Sequence, residues 1–441
     1  MAPTIITKIE TFHVKRGAFM KEFTLNDELK LSFNYFMECS NFNESANGYG
    51  LTMDNYKNKD MSSLAASGFM LASLAVGVNE SFISFNEAKE KAIKSIVNIY
   101  NTIDEHKGLL VHFASFKDGK RINHCEYSTI DTVLFIAGVI VCSAFFKDKT
   151  IDEYLNKFLQ RIDWNYYLTT YNNKNVVRMA YNDYNYQTKS NYKNEEDGFI
   201  FQWHMYAEQL IMYLLIASDE RVDSKKAIDL FNDFRRDTKK VLDYEFVRCP
   251  TGSLFTYQFS HCFFDFKSYL DCNNYNWFLN SKYACLDNYL YCKNNTNYKT
   301  FKEGLWGVSA SDGPHGYNGY GIPPYDYDNQ TNYNPILVDG TIAPYCVISS
   351  LPFIEDIVLA TFNKIISVDN TIGKYGLKDA INLDFNYIDD NYFGIDKGSE
   401  ILMIENYKNG LIWNLFTNHP LIQKAIKKLD FKKVGDESGN T

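Results

Sequence analysis

Several signatures of large enzyme classes are missing from this chain of 441 residues. It has no HExxH motif and no closely spaced cysteine and histidine set, so the sequence predicts no metal site. A P-loop is absent as well. The glycines of GPHGYNGYG (residues 313–321) interrupt a loop instead of opening a helix after a strand, unlike a dinucleotide-binding motif. We therefore expect neither a metal nor a cofactor.

Leader, membrane and linker segments are also lacking. The N-terminal residues alternate between polar and apolar without the apolar centre of a signal peptide, and no apolar run approaches the length of a membrane span. These features predict no membrane partner and a cytoplasmic location, or export with a leader that is absent from this chain. No segment rich in Ser, Pro and Gly divides the chain, so one large domain is expected.

Paired cysteines and clustered basic residues are missing too. The nine cysteines are odd in number and form no CxxC pair, which favours free thiols in a reducing compartment. The 45 Lys and Arg residues are scattered over a chain of net charge -9. This argues against nucleic acid as a partner, because phosphate binding needs a concentrated basic face. An anionic surface suits a neutral ligand, and the oligomeric state is left open.

Aromatic residues and helix signals are abundant. Tyr and Phe number 33 each, enough to fill a large core or to stack on sugar rings. Ser84 with Glu87, and Thr150 with Glu153, have the spacing of capping boxes. A strand is expected around residues 4–14 and a β-hairpin turning at Asp118. Helices are predicted over residues 61–78, 87–100, 128–146, 151–162, 203–218, 224–242, 265–291, 349–367, 399–416 and 420–429.

Three polar or glycine-rich stretches, residues 171–197, 304–345 and 391–399, are predicted as long loops, which in compact domains are usually functional. In the last of them, Gly394 and Gly398 flank Asp396 ahead of a helix that Ser399 can cap. Asp396 is therefore expected on a tightly bent loop held by a rigid helix, a common place for a working acid or base.

The order of elements predicts an all-α fold. Many helices joined by short and long loops, without strand-helix alternation, suggest antiparallel helical hairpins around a centre. An α/α toroid is one of several all-α options. The predicted organisation is an N-terminal segment 1–47 packed on the barrel, a catalytic domain 48–435 and a disordered tail 436–441.

Several sequence blocks carry a resemblance to a known family. They are HCEYSTIDT (124–132), YQFSHCFFDFKSYLD (257–271), LWGVSASDGPHGY (305–317), DGTIAP (339–344), SSLPF (349–353), GKYGLKDAIN (373–382) and GIDKGSEILMIENYKNGLIW (394–413). In order and spacing they resemble the glucoamylase-like bacterial glycoside hydrolases that include endo-β-1,2-glucanases. The resemblance implies an (α/α)6 toroid whose long loops form a substrate cleft. It also implies hydrolysis of β-glucan, β-1,2-glucan or its oligosaccharides foremost, by an inverting acid/base mechanism.

Glycoside cleavage needs an acid to protonate the leaving oxygen and a carboxylate to activate water or attack. The resemblance implies that Glu208 is the acid and Asp396 the base. Glu208 is predicted to lie on a strongly apolar helix. A carboxylate there is either paired or has a raised pKa, as a general acid should. Two positions depart from the family pattern. Lys397-Gly398-Ser399 replaces the usual Gln-Gly-Pro, and Ala207 and Gln209 flank the acid where the family has Asn and Ala.

The other carboxylates have structural alternatives. For Glu126, a functional role and a merely solvated loop position are equally supported. Asp131 lies three residues after Ser128, and the far half of a capping box is the better explanation for it. Asp312 and Asp339 each precede a glycine, where a turn is the commoner explanation. Glu405 is read as a buried structural partner.

Four further residues are candidates for substrate contact: His261, Trp306, Tyr317 and Lys397. A satisfied structural histidine is as good an explanation for His261, and Trp306 can equally belong to the core.

Three functions are compatible with these observations. The first is a β-glucan hydrolase. The second is a transglycosylase on the same glucans, which differs in whether a sugar hydroxyl outcompetes water. The third is a catalytically silent glucan-binding protein, which the departures at Lys397 and Ala207 motivate.

Overall fold

The computed structural model describes residues 23–326 and 338–435, which are mainly helical with little sheet. The strand expected at residues 4–14 and the tail 436–441 lie outside the described residues, as does the centre of the predicted loop 304–345. In the described part of the N-terminal segment, a helix over Leu25–Cys39 packs on a later helix, Gly394–Asn409. The predicted division into segment, domain and tail stays a prediction.

The helices of the described ranges differ widely in length. In chain order they are α1 (Leu25–Cys39), α2 (Leu64–Asn79), α3 (Phe85–Thr102), α4 (Thr129–Phe146), α5 (Lys149–Arg161), α6 (Trp164–Tyr167), α7 (Leu210–Ser218), α8 (Ser224–Asp233), α9 (Phe259–Phe263), α10 (Trp277–Asn294), α11 (Lys299–Lys302), α12 (Pro344–Ser349), α13 (Glu355–Ser367), α14 (Gly394–Asn409), α15 (Leu411–Thr417) and α16 (Pro420–Lys428). Two short 3-10 helices cover Glu195–Gly198 and Leu254–Tyr257.

The strands of the described ranges are short, and they pair with one another in antiparallel fashion. They are β1 (Thr52–Met53), β2 (Met61–Ser63), β3 (Glu105–His106), β4 (Leu109–Leu110), β5 (Phe113–Ser115), β6 (Tyr127–Ser128), β7 (Leu168–Tyr171), β8 (Lys174–Tyr181), β9 (Tyr184–Asn185), β10 (Ser190–Asn191), β11 (Phe199–Gln202), β12 (Thr238–Val241), β13 (Tyr244–Val247), β14 (Tyr269–Leu270), β15 (Ile372–Gly373), β16 (Gly376–Leu377), β17 (Ile381–Asn382), β18 (Tyr387–Ile388) and β19 (Lys432–Lys433). The largest sheet has the order β11-β8-β6, with β7 also paired to β8.

The core is built from helices that are buried along most of their length: α2, α4, α7, α9, α12 and α14. They alternate in the chain with helices that bury one face, among them α3, α5, α8, α10 and α13. A helix apolar all round must be buried, whereas an amphipathic one covers a core. The chain therefore forms an inner and an outer set of helices.

The helices α2 and α4 pack against each other more closely than ordinary side chains allow. A Cβ on Gly138 would lie 2.1 Å from the carbonyl oxygen of Gly68, and a Cβ on Gly68 would lie 2.4 Å from that of Leu134. The glycines thus permit backbone contact between two inner helices. The small-residue helix predicted at 61–78 is confirmed, although it begins at Leu64.

Helix α4 is long and apolar enough to span a membrane, so the expectation that no apolar run approaches the length of a membrane span is wrong. In the structure, 83% of the helix is buried inside the protein. A buried core helix can be equally long and apolar.

Several predicted boundaries change. Ser84 caps α3 as expected, its Oγ accepting from the Glu87 N–H. By contrast, α5 begins at Lys149 and its N-cap is Asp148. The Asp148 side chain accepts from the Thr150 N–H at 2.9 Å, so the cap predicted at Thr150 is wrong. The segment 171–197 is not a structureless loop, because it holds β8 to β10. The helix predicted over 224–242 ends at Asp233, and the one predicted over 265–291 starts at Trp277.

The start of α14 matters most for function. Phe393 precedes the first helical residue, Gly394, so Asp396 lies in the first turn of the helix. Ser399 does not cap it, because its hydroxyl donates to the carbonyl of Asp396 at 2.9 Å, within the helix. The loop predicted over 391–399 is therefore shorter than expected. Gly398 is needed instead for packing, since a Cβ there would lie 2.3 Å from the ring of Phe69.

Candidate active site

Glu208 lies in the turn directly before α7, and not inside a helix as predicted, because α7 begins only at Leu210. The Ser260 hydroxyl donates to the Glu208 carbonyl oxygen at 2.6 Å and so ties this turn to α9. The Glu208 side chain lines a cavity of about 400 Å³, together with Trp203, Phe255 and Thr256. A mainly apolar cavity with a few polar groups is the usual form of a ligand site.

Burial raises the pKa of the Glu208 carboxyl to about 7, and the negative charge of Asp131 adds to the effect. The neighbouring Trp203 is 5% exposed, and its indole N–H donates to the Thr129 hydroxyl at 2.9 Å, which fixes the ring. A carboxyl that keeps its proton near neutral pH can donate it to a leaving oxygen. Glu208 therefore has the electrostatics of a general acid.

A second cavity, of about 650 Å³, adjoins the first. The two share His204, Met205 and Asp326 as lining residues. Asp326 forms an ion pair with Arg235 at this shared wall. Together the cavities form a cleft that extends from Glu208 toward the end of α8.

Asp396 is 5% exposed and lies against a second carboxyl, that of Asp379. Burial, followed by the charge of Asp379, raises the pKa of Asp396 well above its ordinary value. Burial likewise raises the pKa of Asp379 to about 7. Two adjacent carboxyls cannot both ionise easily, so this pair holds one proton between them at neutral pH.

Asp312 and Asp389 extend the group around Asp379. The Asp312 N–H donates to Asp379 at 2.8 Å, and the Asn391 amide donates to Asp312 at 3.0 Å. Asp312 therefore belongs to a cluster of acidic groups rather than to a simple turn. Carboxylate oxygens of Asp312, Asp379 and Asp389 lie within 4.8 Å of one another, close enough to hold a cation. The Lys57 ammonium group lies 2.5 Å from Asp389 and supplies a positive charge.

A histidine joins two further candidates. His112 Nδ1 lies 2.8 Å from Glu126, and His112 Nε2 lies 3.6 Å from Asp131. Burial works to lower the pKa of His112, but the two carboxylates outweigh it and raise the pKa to about 9. His112 is therefore a cation at neutral pH, between two carboxylates. The N–H of Asp131 also donates to Ser128 Oγ at 3.3 Å, which confirms its place at the helix cap.

Tyr317 is exposed and lies near the acidic pair. Its side chain is 56% exposed, and its ring lies 5.3 Å from that of Phe393. Burial, followed by the charges of Asp396 and Asp379, raises the pKa of its hydroxyl. Tyr317 is therefore accessible to a ligand and close enough to the acidic pair to feel its charge.

Four predicted site residues lie elsewhere. His261 is buried among aromatic rings, with Ser281 Oγ 2.8 Å from its Nε2, and burial lowers its pKa to about 3, so it is a neutral core histidine. Trp306 is 1% exposed and donates to Thr361, so it too belongs to the core. Asp339 accepts from the N–H of Thr341 at 2.8 Å, as the turn interpretation expects.

Lys397 is the fourth. It is 2% exposed and turned into the protein, where it pairs with Glu28 and Glu400, so the expectation that it contacts substrate is wrong. Glu405 is buried as expected and accepts from the Asn79 amide at 2.7 Å.

The Glycoamylase family model, whose description is "Putative glucoamylase", matches residues 200–420, half of the chain. The chain belongs to this family. The match includes Glu208, Asp312, Asp379 and Asp396, and confirms the family that the sequence blocks indicated.

An exo β-1,2-glucooligosaccharide sophorohydrolase (non-reducing end) of Parabacteroides distasonis is 23% identical over 449 residues, covering 90% of this chain and 56% of that protein. The glycoamylase-family chain thus spans little more than half the length of this curated relative. The endo-β-1,2-glucanase of Chitinophaga pinensis, solved with sophorotriose and glucose, has a TM-score of 0.77 at 22% identity, covering 92% of this chain and 97% of that one. A β-1,2-glucanase of Parabacteroides distasonis has a TM-score of 0.78 at 20% identity, covering 93% and 61%. These likenesses show a shared fold.

The sequence of this glycoamylase-family chain did not mark three residues of the site: His112, Asp379 and Asp389. Asp379 lies inside the block GKYGLKDAIN, which carries part of the family resemblance. His112 sits in the segment read as a hairpin, whose strand β5 pairs mainly with β2. No local pattern marks these residues, because their partners are distant in the chain.

Proposed function

We propose that this chain is a glycoside hydrolase that cleaves β-1,2-glucan or its oligosaccharides, with Glu208 as general acid and Asp396 as general base. The observation that carries the proposal is Glu208 at the wall of the 400 Å³ cavity with a pKa of about 7. The β-1,2-glucan-cleaving activity in the names of the relatives supports the substrate class.

In the proposed reaction, Glu208 gives its proton to the glycosidic oxygen as the bond to the anomeric carbon breaks. The Asp396–Asp379 pair, which holds one proton, has one ionised carboxylate that accepts a proton from the attacking water. Asp396 accepts this proton when the shared proton of the pair lies on Asp379. Tyr317, which is exposed and near the pair, contacts the substrate there.

An inverting outcome is the stereochemical part of the proposal. The carboxyl that acts on Glu208 is Asp131, whereas those that act on Asp396 are Asp379 and Glu400. The Glu208 and Asp396 carboxyls thus have different neighbours, and an inverting outcome requires that the two leave room for a water molecule between them.

We further propose that the inner and outer helices close into an (α/α)6 toroid over residues 48–435. Support comes from the packing of α2 on α4, of α4 on α7, of α7 on α9, and of α9 and α12 on α14, which returns to α2. In this arrangement Glu208 and Asp396 both precede or begin inner helices, so both lie at one rim of the barrel.

The test is sugar release from a panel of linear glucans with β-1,2, β-1,3, β-1,4 and α-1,4 linkages. We expect reducing sugar from the β-1,2 polymer or oligomers, and the α-anomer as the first product by NMR. Longer oligosaccharides instead of hydrolysis products would favour the transglycosylase. Binding of β-1,2-glucan without product would favour the silent binding protein, and cleavage of another linkage alone would refute the substrate assignment.

A further inference from the structure

Phe201 has an unusual backbone conformation for its residue type. Its φ is 37°, in the left-handed region that a bulky side chain rarely adopts. The other described non-glycine residues with positive φ lie in turns, in loops or at helix ends, whereas Phe201 lies inside β11. Backbone strain of this kind is concentrated at ligand sites. The conformation of Phe201 is therefore a sign of a ligand contact.

The residues on both sides of Phe201 hold it in this conformation. Ile200 and Gln202 both pair with β8. The N–H of Trp203 then donates to the carbonyl of Val177, on the same strand, at 2.8 Å. A strained residue persists only where its surroundings impose the conformation. Here the hydrogen bonds to β8 do so, because they fix the chain before and after Phe201.

The side chain of Phe201 is exposed in the cleft. It is 45% exposed and lines the cavity of about 400 Å³ that also holds Glu208 and Trp203. An aromatic ring left in water forgoes the free energy that its burial would contribute. The ring is thus both strained and uncovered in the free protein, and a ligand in the cavity would cover it.

The candidate acid and base indicate which part of a substrate this ring meets. Neither Asp396 nor Asp379 is among the residues that line the two adjoining cavities, whereas Glu208 lines the first of them. The general acid meets the leaving oxygen, while the base acts through water on the opposite face of the sugar that is attacked. A cavity that contains the acid without the base therefore receives the leaving sugar.

We propose that Phe201 is the stacking platform for the sugar of the leaving group, the residue beyond the scissile bond on the Glu208 side. The inference rests on the proposed function of Glu208 as general acid. The C–H groups on one face of a glucose ring carry a weak positive charge and fit the negative face of an aromatic ring. Met179 and Trp203 extend the apolar wall beside Phe201, which suits a neutral sugar. The strained backbone holds the ring in the cleft for this contact.

The test separates the two sides of the scissile bond. Phe201→Leu keeps an apolar side chain and removes the ring, and its kcat/KM is measured on a β-1,2-linked oligosaccharide and on β-sophorosyl fluoride. The fluoride substrate has no sugar beyond the scissile bond, so it does not reach the platform. We expect a loss of roughly ten- to a hundredfold on the oligosaccharide and no loss on the fluoride. Phe201→Tyr keeps the ring and should retain both activities.

Phe85→Leu is the matched control. Phe85 is 44% exposed, almost as much as Phe201, but it lies at the start of α3 and lines neither cavity. Its loss is expected to change neither activity. An equal loss on both substrates in Phe201→Leu would assign Phe201 a structural role and overturn the inference. An unchanged kcat/KM on the oligosaccharide would overturn it as well, while leaving the proposed function intact.

A second readout needs no turnover. Glu208→Gln keeps the shape of the site, and in this background the affinity for the oligosaccharide is measured by calorimetry with Phe201, Phe201→Leu and Phe201→Tyr. We expect the Leu chain to bind more weakly by the same factor and the Tyr chain to bind as the parent does. A parent that cleaves neither substrate refutes the proposed function, and the affinity then decides the inference. Equal affinity in all three chains, or no binding, overturns it.

The strain itself is measured by stability. Phe201→Gly and Phe201→Ala both remove the ring, but only glycine adopts a positive φ without strain, so the Gly chain should melt at the higher temperature. The same pair of changes at Ile200, which has an ordinary φ in the same strand, should give the opposite order. A higher melting temperature for Phe201→Ala than for Phe201→Gly would show that no strain holds the ring in the cleft, and would overturn the inference.

Discussion

His112 and Glu126 are joined by a contact of 2.8 Å between Nδ1 and Oε1, on the side of the site that also holds Asp131. The backbone strengthens the link, since the His112 N–H donates to the carbonyl of Glu126 at 2.9 Å. Asp131 in turn raises the pKa of Glu208. The positive charge of His112 therefore offsets the negative charge of Asp131, which would otherwise raise the pKa of Glu208 further.

His112→Gln should destabilise the protein in a pH-dependent way. The folded pKa of about 9 lies above the unfolded value of 6.5, so the histidine contributes stability that is fully present below pH 6.5 and is lost as the pH rises through 9. We expect a loss of roughly 2 kcal/mol at pH 6, shrinking toward pH 9.5, in urea unfolding at a series of pH values. The exposed His315→Gln is the control. A loss that is the same at every pH would contradict the charge assignment.

Glu208→Gln and Asp396→Asn keep the side-chain shapes and remove the proton chemistry. Each should lower turnover on β-1,2-glucan by about 10²- to 10⁴-fold with folding intact, as is typical for loss of a general acid or base. Sugar release under saturating substrate is the measurement, with circular dichroism to check folding. Glu126→Gln, Asp131→Asn and Asp312→Asn belong in the same series. Near-full activity in the first two variants, with loss in Glu126→Gln or Asp312→Asn, would reverse the assigned roles.

The raised pKa of Glu208 predicts both an activity limb and a stability trend. Activity should fall as the pH rises above about 7, because the acid must be protonated. The folded protein binds this proton more tightly than the unfolded chain, so its stabilising effect is present below the ordinary pKa of 4.5 and is lost by about pH 7. Glu208→Gln should therefore gain stability relative to the parent between pH 5 and 8. An alkaline limb that persists in the residual activity of Glu208→Gln would assign it to another group.

Gly138→Ala should destabilise the fold, although alanine is the better helix former. The added Cβ would collide with the backbone of Gly68, and a backbone cannot rotate away as a side chain does. We expect a loss of about 3 kcal/mol in thermal or urea unfolding, at the upper end for overpacking. Ala144→Gly, on the same helix, measures the change in helix propensity alone, about 1 kcal/mol. A gain in stability for Gly138→Ala would mean that α2 and α4 separate at little cost.

Local patterns predicted much of the helical content but placed the candidate acid and base imprecisely. The apolar run before Ser218 predicted α7. The helix begins only at Leu210, however, so Glu208 lies outside it. Gly394 and Gly398 suggested a tightly bent loop at Asp396, whereas the close approach of Phe69 explains Gly398 inside a helix. In the sequence, a glycine in a bent loop cannot be told from a glycine at a close helix contact. Only the neighbouring Phe69 ring in the structure distinguishes the two.

The sequence by itself determined the family, the mainly helical class, the cap at Ser84 and the structural place of Glu405, because these depend on residues near one another or on long specific blocks. The tertiary structure alone decided that Asp379 pairs with Asp396, that His112 lies between Glu126 and Asp131, and that Lys397 turns inward to Glu28. Glu28 and Lys397 are 369 positions apart in the chain and 2.9 Å apart in space. Ionisation depends on such neighbours and on burial, and neither has a local signature in the sequence.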